Sequence, residues 1–285
     1  MSFALVLGGG GTVGVAWEIG VLAGLADAGI DPADASVVVG SSAGSVVGTR
    51  LRCGRPIDEL AEEQRASAGT DGDPPDQPDL TPLLEIAGLL QAADERTPEL
   101  FQAVGEIART VDTIAEATWI ERIEHAVGTG PWPEDDLRIT AVDCNTGQRR
   151  VWTVADDVPL AAAVASSCAI PGVFPPIGLD GSRFTDGGLW SSSNLDVVLD
   201  TDVDAAIFVG PLRAGEPAAV RGLEREIDRL AEHGRPTAAI VPGEAFRDEI
   251  GAANLMNPAL RGRGLDLGIA DGTAAAERVR ALLDR

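Results

Sequence analysis

The sequence predicts an α/β fold, a mainly parallel central sheet flanked by helices, with a helical cap inserted into it. Three observations carry this. Short apolar runs alternate with helix-period patterns from the first residues onward. Two strand-to-helix corners are built almost wholly from glycine, serine and alanine. A long helical stretch, residues 55–135, then interrupts the strand rhythm before it resumes.

Residues 3–7 (FALVL) read as a buried strand. In 12–28, Val15, Ile19, Leu22 and Leu25/Ala26 recur at helical spacing, and the pattern stops near Gly29. Residues 36–39 (SVVV) are a second strand and 43–52 a second helix, a βαβα start that predicts a parallel sheet. Residues 69–79 (GTDGDPPDQPD) form a polar, proline-rich break, a candidate hinge. Thr81-Pro82 and Thr97-Pro98 each look like an N-cap with proline at the first helical position. In the helix after Pro98, Leu100, Val104, Ile107/Ala108, Val111 and Ile114/Ala115 share one face, and Trp119, Ile120 and Ile123 extend the pattern. Strands are expected at 137–143, 150–154, 205–209 and 238–241, with a helix at 216–233 and mostly helix over 252–283. Residues 1–285 therefore read as a single α/β domain containing the 55–135 cap.

With 45% apolar residues and a mean hydropathy of +0.08, the composition is that of a soluble globular protein. No apolar run is long enough to span a bilayer, and "MSFALVLGGGG" lacks the basic region of an export signal, so a cytoplasmic location is expected. The formal charge of −23 disfavours nucleic acid and strongly anionic membranes as partners. Any transient membrane-surface contact would have to rest on apolar surface. Cys53, Cys144 and Cys168 have no metal-like spacing and read as reduced, mostly buried thiols. The two histidines, His125 and His233, are too few for a His-based zinc site, and no metal or cofactor is expected.

The second corner, Gly40-Ser41-Ser42-Ala43-Gly44, fits G-x-S-x-G on a strand–turn–helix junction. That pattern names Ser42 as nucleophile. Gly40 and Gly44 relieve crowding, and the following helix points its N-terminus at the hydroxyl. Ser41 projects away and Ser45 sits inside the first turn. The plain alternative is an ordinary glycine-rich turn. The first corner, "LGGGGTVG", places Gly9, Gly11 and Gly14 in a G-x-G-x-x-G pattern. A dinucleotide fold would want an acidic residue at the end of the second strand, where Gly40-Ser41-Ser42 stands instead. The same glycine loop can turn N–H groups toward an acyl oxyanion; Gly10 and Gly11 are the best donors, joined by Ala43 N–H.

The hydroxyl needs a base. His125 lies late in the helical insertion and His233 at a helix end, neither in a catalytic-looking loop. "RFTDGGLW" offers Asp186 at the end of a short strand, followed by Gly187 and Gly188. A carboxylate within reach of Ser42 can deprotonate it directly; an ordinary Asp-Gly turn is the competing reading.

Taken together, "GGGGTVG", "GSSAGS", "ASSCAIPGVFPPI" and "DGG" resemble the patatin-like phospholipase family, in the family's order and over roughly residues 3–195. The resemblance implies a Ser-Asp dyad hydrolase of lipid acyl esters, without metal or organic cofactor. It implies Ser42 as nucleophile, Asp186 as base, the loop Gly9–Gly14 as oxyanion hole, and "IPGVFPP" packed beside the site. Two positions depart from the pattern: Val13 stands where the family usually has Arg or Lys, and Asn194-Leu195-Asp196 where it usually reads Asn-x-Pro. The expected reaction is hydrolysis of a phospholipid, lysolipid or acylglycerol ester. The alternatives are a thioesterase or small-ester esterase with the same dyad, a non-catalytic lipid-binding or regulatory protein, and a nucleotide-binding module resting on the glycine loop.

Overall fold

Strand β1 (Phe3–Leu7) is apolar without interruption because both its faces are covered. Phe3, Leu5 and Leu7 join the core on one face of the sheet, and Ala4 and Val6 the core on the other. This arrangement comes from a computed structural model, which describes residues 1–66, 81–93, 96–212 and 217–285. The proline-rich break at 69–79 lies outside the described residues.

In chain order the further elements are α1 (Gly11–Asp27), β2 (Val37–Gly40), α2 (Ala43–Arg52), α3 (Ile57–Ala66), α4 (Thr81–Ala92), α5 (Pro98–Thr110) and α6 (Glu116–Val127). Then come β3 (Asp136–Asp143), β4 (Arg149–Trp152), α7 (Leu160–Ser167), β5 (Ile177–Leu179), β6 (Ser182–Asp186) and β7 (Ala205–Val209). The chain closes with α8 (Pro217–Glu232), β8 (Thr237–Ile240), α9 (Glu244–Glu249) and α10 (Arg261–Leu283). Strands β3, β2, β1, β7 and β8 run parallel, in that order, with β4, β5 and β6 added antiparallel. This is the mainly parallel sheet the sequence predicts.

The pairing around β3 sets the site. Ile139 pairs with Gly40 of β2 and, on its other edge, with Trp152 of β4. Ala141 pairs with Arg150 of β4 and with Asp186 of β6. Each residue has one partner per edge, so β2 and β6 lie along the same edge of β3. They approach head to head, and their C-terminal ends meet on either side of Thr140.

Helices cover both faces. On one, α1 and α10 cross with backbones almost touching: a Cβ on Gly268 would fall 2.1 Å from the Trp17 carbonyl oxygen, and one on Gly20 2.2 Å from that of Leu265. On the other, Leu223 and Leu230 of α8 pack with Phe208 and the 195–200 turn. The helices between β2 and β3 do not share one packing partner. Leu60 of α3 and Trp119 and Ile123 of α6 join the main core, whereas Ile86 of α4 and Phe101 and Val104 of α5 form a separate cluster with Val142 and Leu189.

Two expectations change. The helix after Pro98 is capped by Thr97, whose hydroxyl accepts the Leu100 N–H, but it stops at Thr110. Its buried face is Phe101, Val104 and Ala108, and the apolar line expected to run on through Val111 and Ile114 is broken because Val111 is extended. The sequence also gave no sign of α7: "LAAAVASS" is buried all round and so carries no amphipathic period.

Candidate active site

Both glycine corners close onto the same place. Ser42, the residue before α2 and two beyond the end of β2, has φ 50° and ψ −119°, a conformation that non-glycine residues rarely adopt. The chain tolerates it because the residues two positions to either side, Gly40 and Gly44, lack side chains. A Cβ on Gly44 would lie 2.2 Å from the Leu7 carbonyl oxygen, and one on Gly40 2.6 Å from the Ser45 Cα. The Gly44 N–H donates to Gly8 O at 2.9 Å, tying the elbow to the glycine loop. A Cβ on Gly9 would fall 4.0 Å from Ser42 Oγ, so the loop faces the hydroxyl.

Donors for an oxyanion are available there. Among the described residues, the N–H groups of Gly9, Gly10, Gly11 and Ala43 donate to no protein acceptor. The Gly14 N–H is used inside α1, by Gly10 O at 2.9 Å, so Gly14 leaves the set of donors the sequence suggested. Its role is packing against Pro211. Val13 N–H is likewise occupied, by Leu255 O at 2.9 Å.

The end of α7 holds the elbow and β6 together. Ser42 N–H donates to Ser167 Oγ at 2.9 Å, and the Cys168 thiol donates to Ser42 O at 3.3 Å. Asp186 N–H donates to Ala169 O at 3.0 Å, and Thr185 Oγ1 donates to the same carbonyl at 2.5 Å. Burial, and then the nearby Asp186 charge, push the Cys168 thiol up to about 12, so it stays protonated at neutral pH. Ser42 and Asp186 are both nearly buried, at 6% and 7% exposure. Asp186 Oδ1 accepts the Gly188 N–H at 2.8 Å, which fixes its carboxylate at the start of the turn. Gly187 must be glycine, since a Cβ there would lie 2.2 Å from Thr140 Oγ1.

The remaining residues the sequence singled out fall away from this centre or into support. Ser45 Oγ donates to Ser42 O at 2.6 Å, inside the first turn as expected. Ser41 is fully buried and hydrogen-bonded to Thr140 and Asn194. His125 is exposed on α6, and His233 is exposed beyond α8, with Nδ1 2.8 Å from the Arg229 carbonyl of its own helix. Cys144 is buried and Cys53 exposed, and neither is in a disulfide. Among the described residues no cluster of three or more His, Cys, Asp or Glu could hold a metal.

Sequence reasoning missed Ser167 and Thr140 as parts of the site, and met Asn194 only in the segment that follows Asp186-Gly187-Gly188. Ser167 lies within the quoted "ASSCAIPG", where a polar residue closing an alanine-rich run is a usable signal. Thr140 is one hydroxyl in an ordinary strand, with nothing to mark it.

The profile of the patatin-like phospholipase family matches residues 5–199. The chain belongs to that family. Among curated proteins it is similar to uncharacterized NTE family proteins of Mycobacterium bovis and Mycobacterium tuberculosis, at 31% identity over 226 residues, 75% of this chain and 52% of theirs. The chain thus spans about half the length of the curated relatives it matches. Among solved structures it is similar to VipD from Legionella pneumophila, at 12% identity and TM-score 0.48, covering 97% of this chain and 67% of that one. It is also similar to a chain of the heterodimeric ExoU–SpcU complex of Pseudomonas aeruginosa, at 17% identity and TM-score 0.42, covering 100% of this chain and 52% of that one.

Proposed function

We propose that the protein hydrolyses carboxylic ester bonds of lipids, of the phospholipase A, lysophospholipase or acylglycerol lipase type, through a Ser42–Asp186 dyad. The observation that carries this is the head-to-head meeting of β2 and β6 along one edge of β3, with Ser42 two residues beyond the end of β2 and Asp186 the last residue of β6. In this reading Asp186 accepts the Ser42 proton as Oγ attacks the ester carbonyl. The N–H groups of Gly10 and Gly11, with that of Ala43, stabilise the oxyanion, and their freedom from protein acceptors supports that role. The alcohol leaves with the proton from Asp186. Water, deprotonated by Asp186, then releases the fatty acid and restores Ser42.

The test is hydrolysis of a panel of phospholipids, lysolipids, acylglycerols, acyl thioesters and short soluble esters, together with fluorophosphonate labelling. Wild type should be labelled and should prefer a lipid ester. Ser42→Ala should lose labelling and turnover, and Asp186→Asn should lose about 10³-fold in rate, the scale of removing a base from its nucleophile. The double variant should be little worse than either single one. Fast turnover of thioesters with slow lipid turnover would favour the thioesterase alternative. A fully active Ser42→Ala would end the dyad reading.

A further inference from the structure

Asn194 sits fully buried, in a left-handed conformation with φ 49° and ψ 27°, eight residues beyond Asp186. Its amide orientation follows from its neighbours. Arg149 Nη1 is a pure donor and lies 3.2 Å from one amide atom, so that atom is Oδ1. The other, Nδ2, faces three acceptors: Ser41 Oγ at 2.9 Å, Gly187 O at 3.1 Å and Ser191 O at 2.8 Å. Two hydrogens serve three acceptors, so one bond is shared.

Ser41 Oγ accepts from Asn194 and shares a further hydrogen bond with Thr140 Oγ1, 2.6 Å away. One amide thus joins the residue before the nucleophile to the residue after the base, across the gap in the sheet edge that Thr140 fills. A second clamp holds the far side of the turn. Glu226 of α8 accepts from Ser191 Oγ and Ser193 Oγ, both at 2.6 Å, and from Leu195 N–H at 2.8 Å.

We propose that Asn194, acting through Ser41 Oγ and Gly187 O, is a positioning residue that fixes the separation of Ser42 and Asp186. This rests on the dyad reading above. Displacing a base by about 1 Å is enough to cost about 10²-fold in rate. The strand ends themselves share no ladder hydrogen bond across Thr140, so side chains must supply the tie. An aspartate at 194 could not do so, since it would turn acceptors toward Ser41 Oγ, Gly187 O and Ser191 O.

Asn194→Gly is the informative variant, because glycine keeps the left-handed backbone and removes only the amide. It should lower kcat for a soluble ester by roughly 10- to 100-fold, the scale of a misplaced base, with KM nearly unchanged. The rate of fluorophosphonate labelling at Ser42 should fall in parallel. Ser41→Ala should do the same, and Ser41→Ala with Asn194→Gly should be little worse than either alone. Thr140→Ser, which keeps the hydroxyl, should retain activity that Thr140→Val loses.

Melting temperature separates positioning from folding. If Asn194→Gly and Thr140→Val melt lower but keep wild-type kcat and labelling, the network is merely structural and the proposal is overturned. If Asn194→Gly fails to fold, the Thr140→Ser and Thr140→Val pair decides alone. Absent labelling of wild type would instead sink the dyad reading, a different failure.

Discussion

The backbone N–H of Ser42 donates to the Ser167 hydroxyl across 2.9 Å, binding the elbow to the last turn of α7. Two residues further on, Ala169 O takes the N–H of Asp186. One helix end therefore holds the backbones of both residues proposed to react, and the following predictions probe that support and the strain it sustains.

Ser167→Ala should leave the Ser42 N–H buried without an acceptor. Such a loss costs about 1–3 kcal/mol. Urea unfolding should show a drop of that size, together with slower fluorophosphonate labelling. Unchanged stability would mean that water or a neighbouring oxygen replaces the hydroxyl.

The positive φ of Ser42 represents strain of about 1–3 kcal/mol for a residue with a Cβ. Ser42→Gly and Ser42→Ala should both be inactive, but they should differ in stability. Glycine relieves the strain and loses about 0.5–1 kcal/mol of that gain to unfolded-state entropy. Ser42→Gly should therefore melt above Ser42→Ala. Equal melting temperatures would show that the elbow is unstrained.

Glu18 lies wholly buried on α1, and burial, only partly offset by the Gly8 backbone N–H, holds its pKa well above the usual carboxylate value. A carboxyl whose pKa is raised in the folded state binds its proton more tightly there than in the unfolded chain. Its contribution is then full at low pH and is lost as pH rises from the unfolded value, near 4.5, toward the folded one. Glu18→Gln carries no such penalty. Its stability relative to wild type should rise with pH above about 4.5, until the folded pKa is passed. Melting curves from pH 4 to 9 would show it; parallel curves would mean that Glu18 is not buried as an acid.

Cys168 touches the Ser42 carbonyl, yet its thiol is buried and held protonated, with a pKa pushed to about 12. Cys144 is buried with its thiol equally high, and Cys53 alone is exposed. Iodoacetamide at pH 8 should modify the folded protein once, at Cys53, and leave ester hydrolysis intact. Rapid loss of activity with modification at Cys168 would reopen a thiol role.

Gly268→Ala tests the closest helix contact. Alanine favours a helix interior over glycine by about 1 kcal/mol, but here its methyl would fall 2.1 Å from the Trp17 carbonyl oxygen. Overpacking of this kind costs about 1–3 kcal/mol, so the variant should melt lower than wild type despite its better helix propensity. A rise in melting temperature would show that α1 and α10 can move apart freely.

Much of this was legible in the sequence for local reasons. A strand buried on both faces must be apolar throughout, which made "FALVL" and "AAIFV" readable. A sharp strand-to-helix turn needs glycine where backbones approach, which marked Gly40, Gly44 and the loop at 8–11. Those constraints act between residues close in the chain, so the pattern records them. An all-apolar helix such as α7 leaves no period, and the break in the apolar face at Val111 depends on backbone conformation that the pattern does not encode.

The sequence by itself determined the α/β class, the two glycine corners and the residue types of the dyad proposed here. Only the tertiary structure decided that β2 and β6 meet head to head beside Thr140, and that Asn194 ties Ser41 to Gly187 across that gap. The reason is separation along the chain. Ser41 and Asn194 stand 153 residues apart. Their meeting depends on which edge of β3 each strand takes, and a choice of edge leaves no local periodicity in either segment.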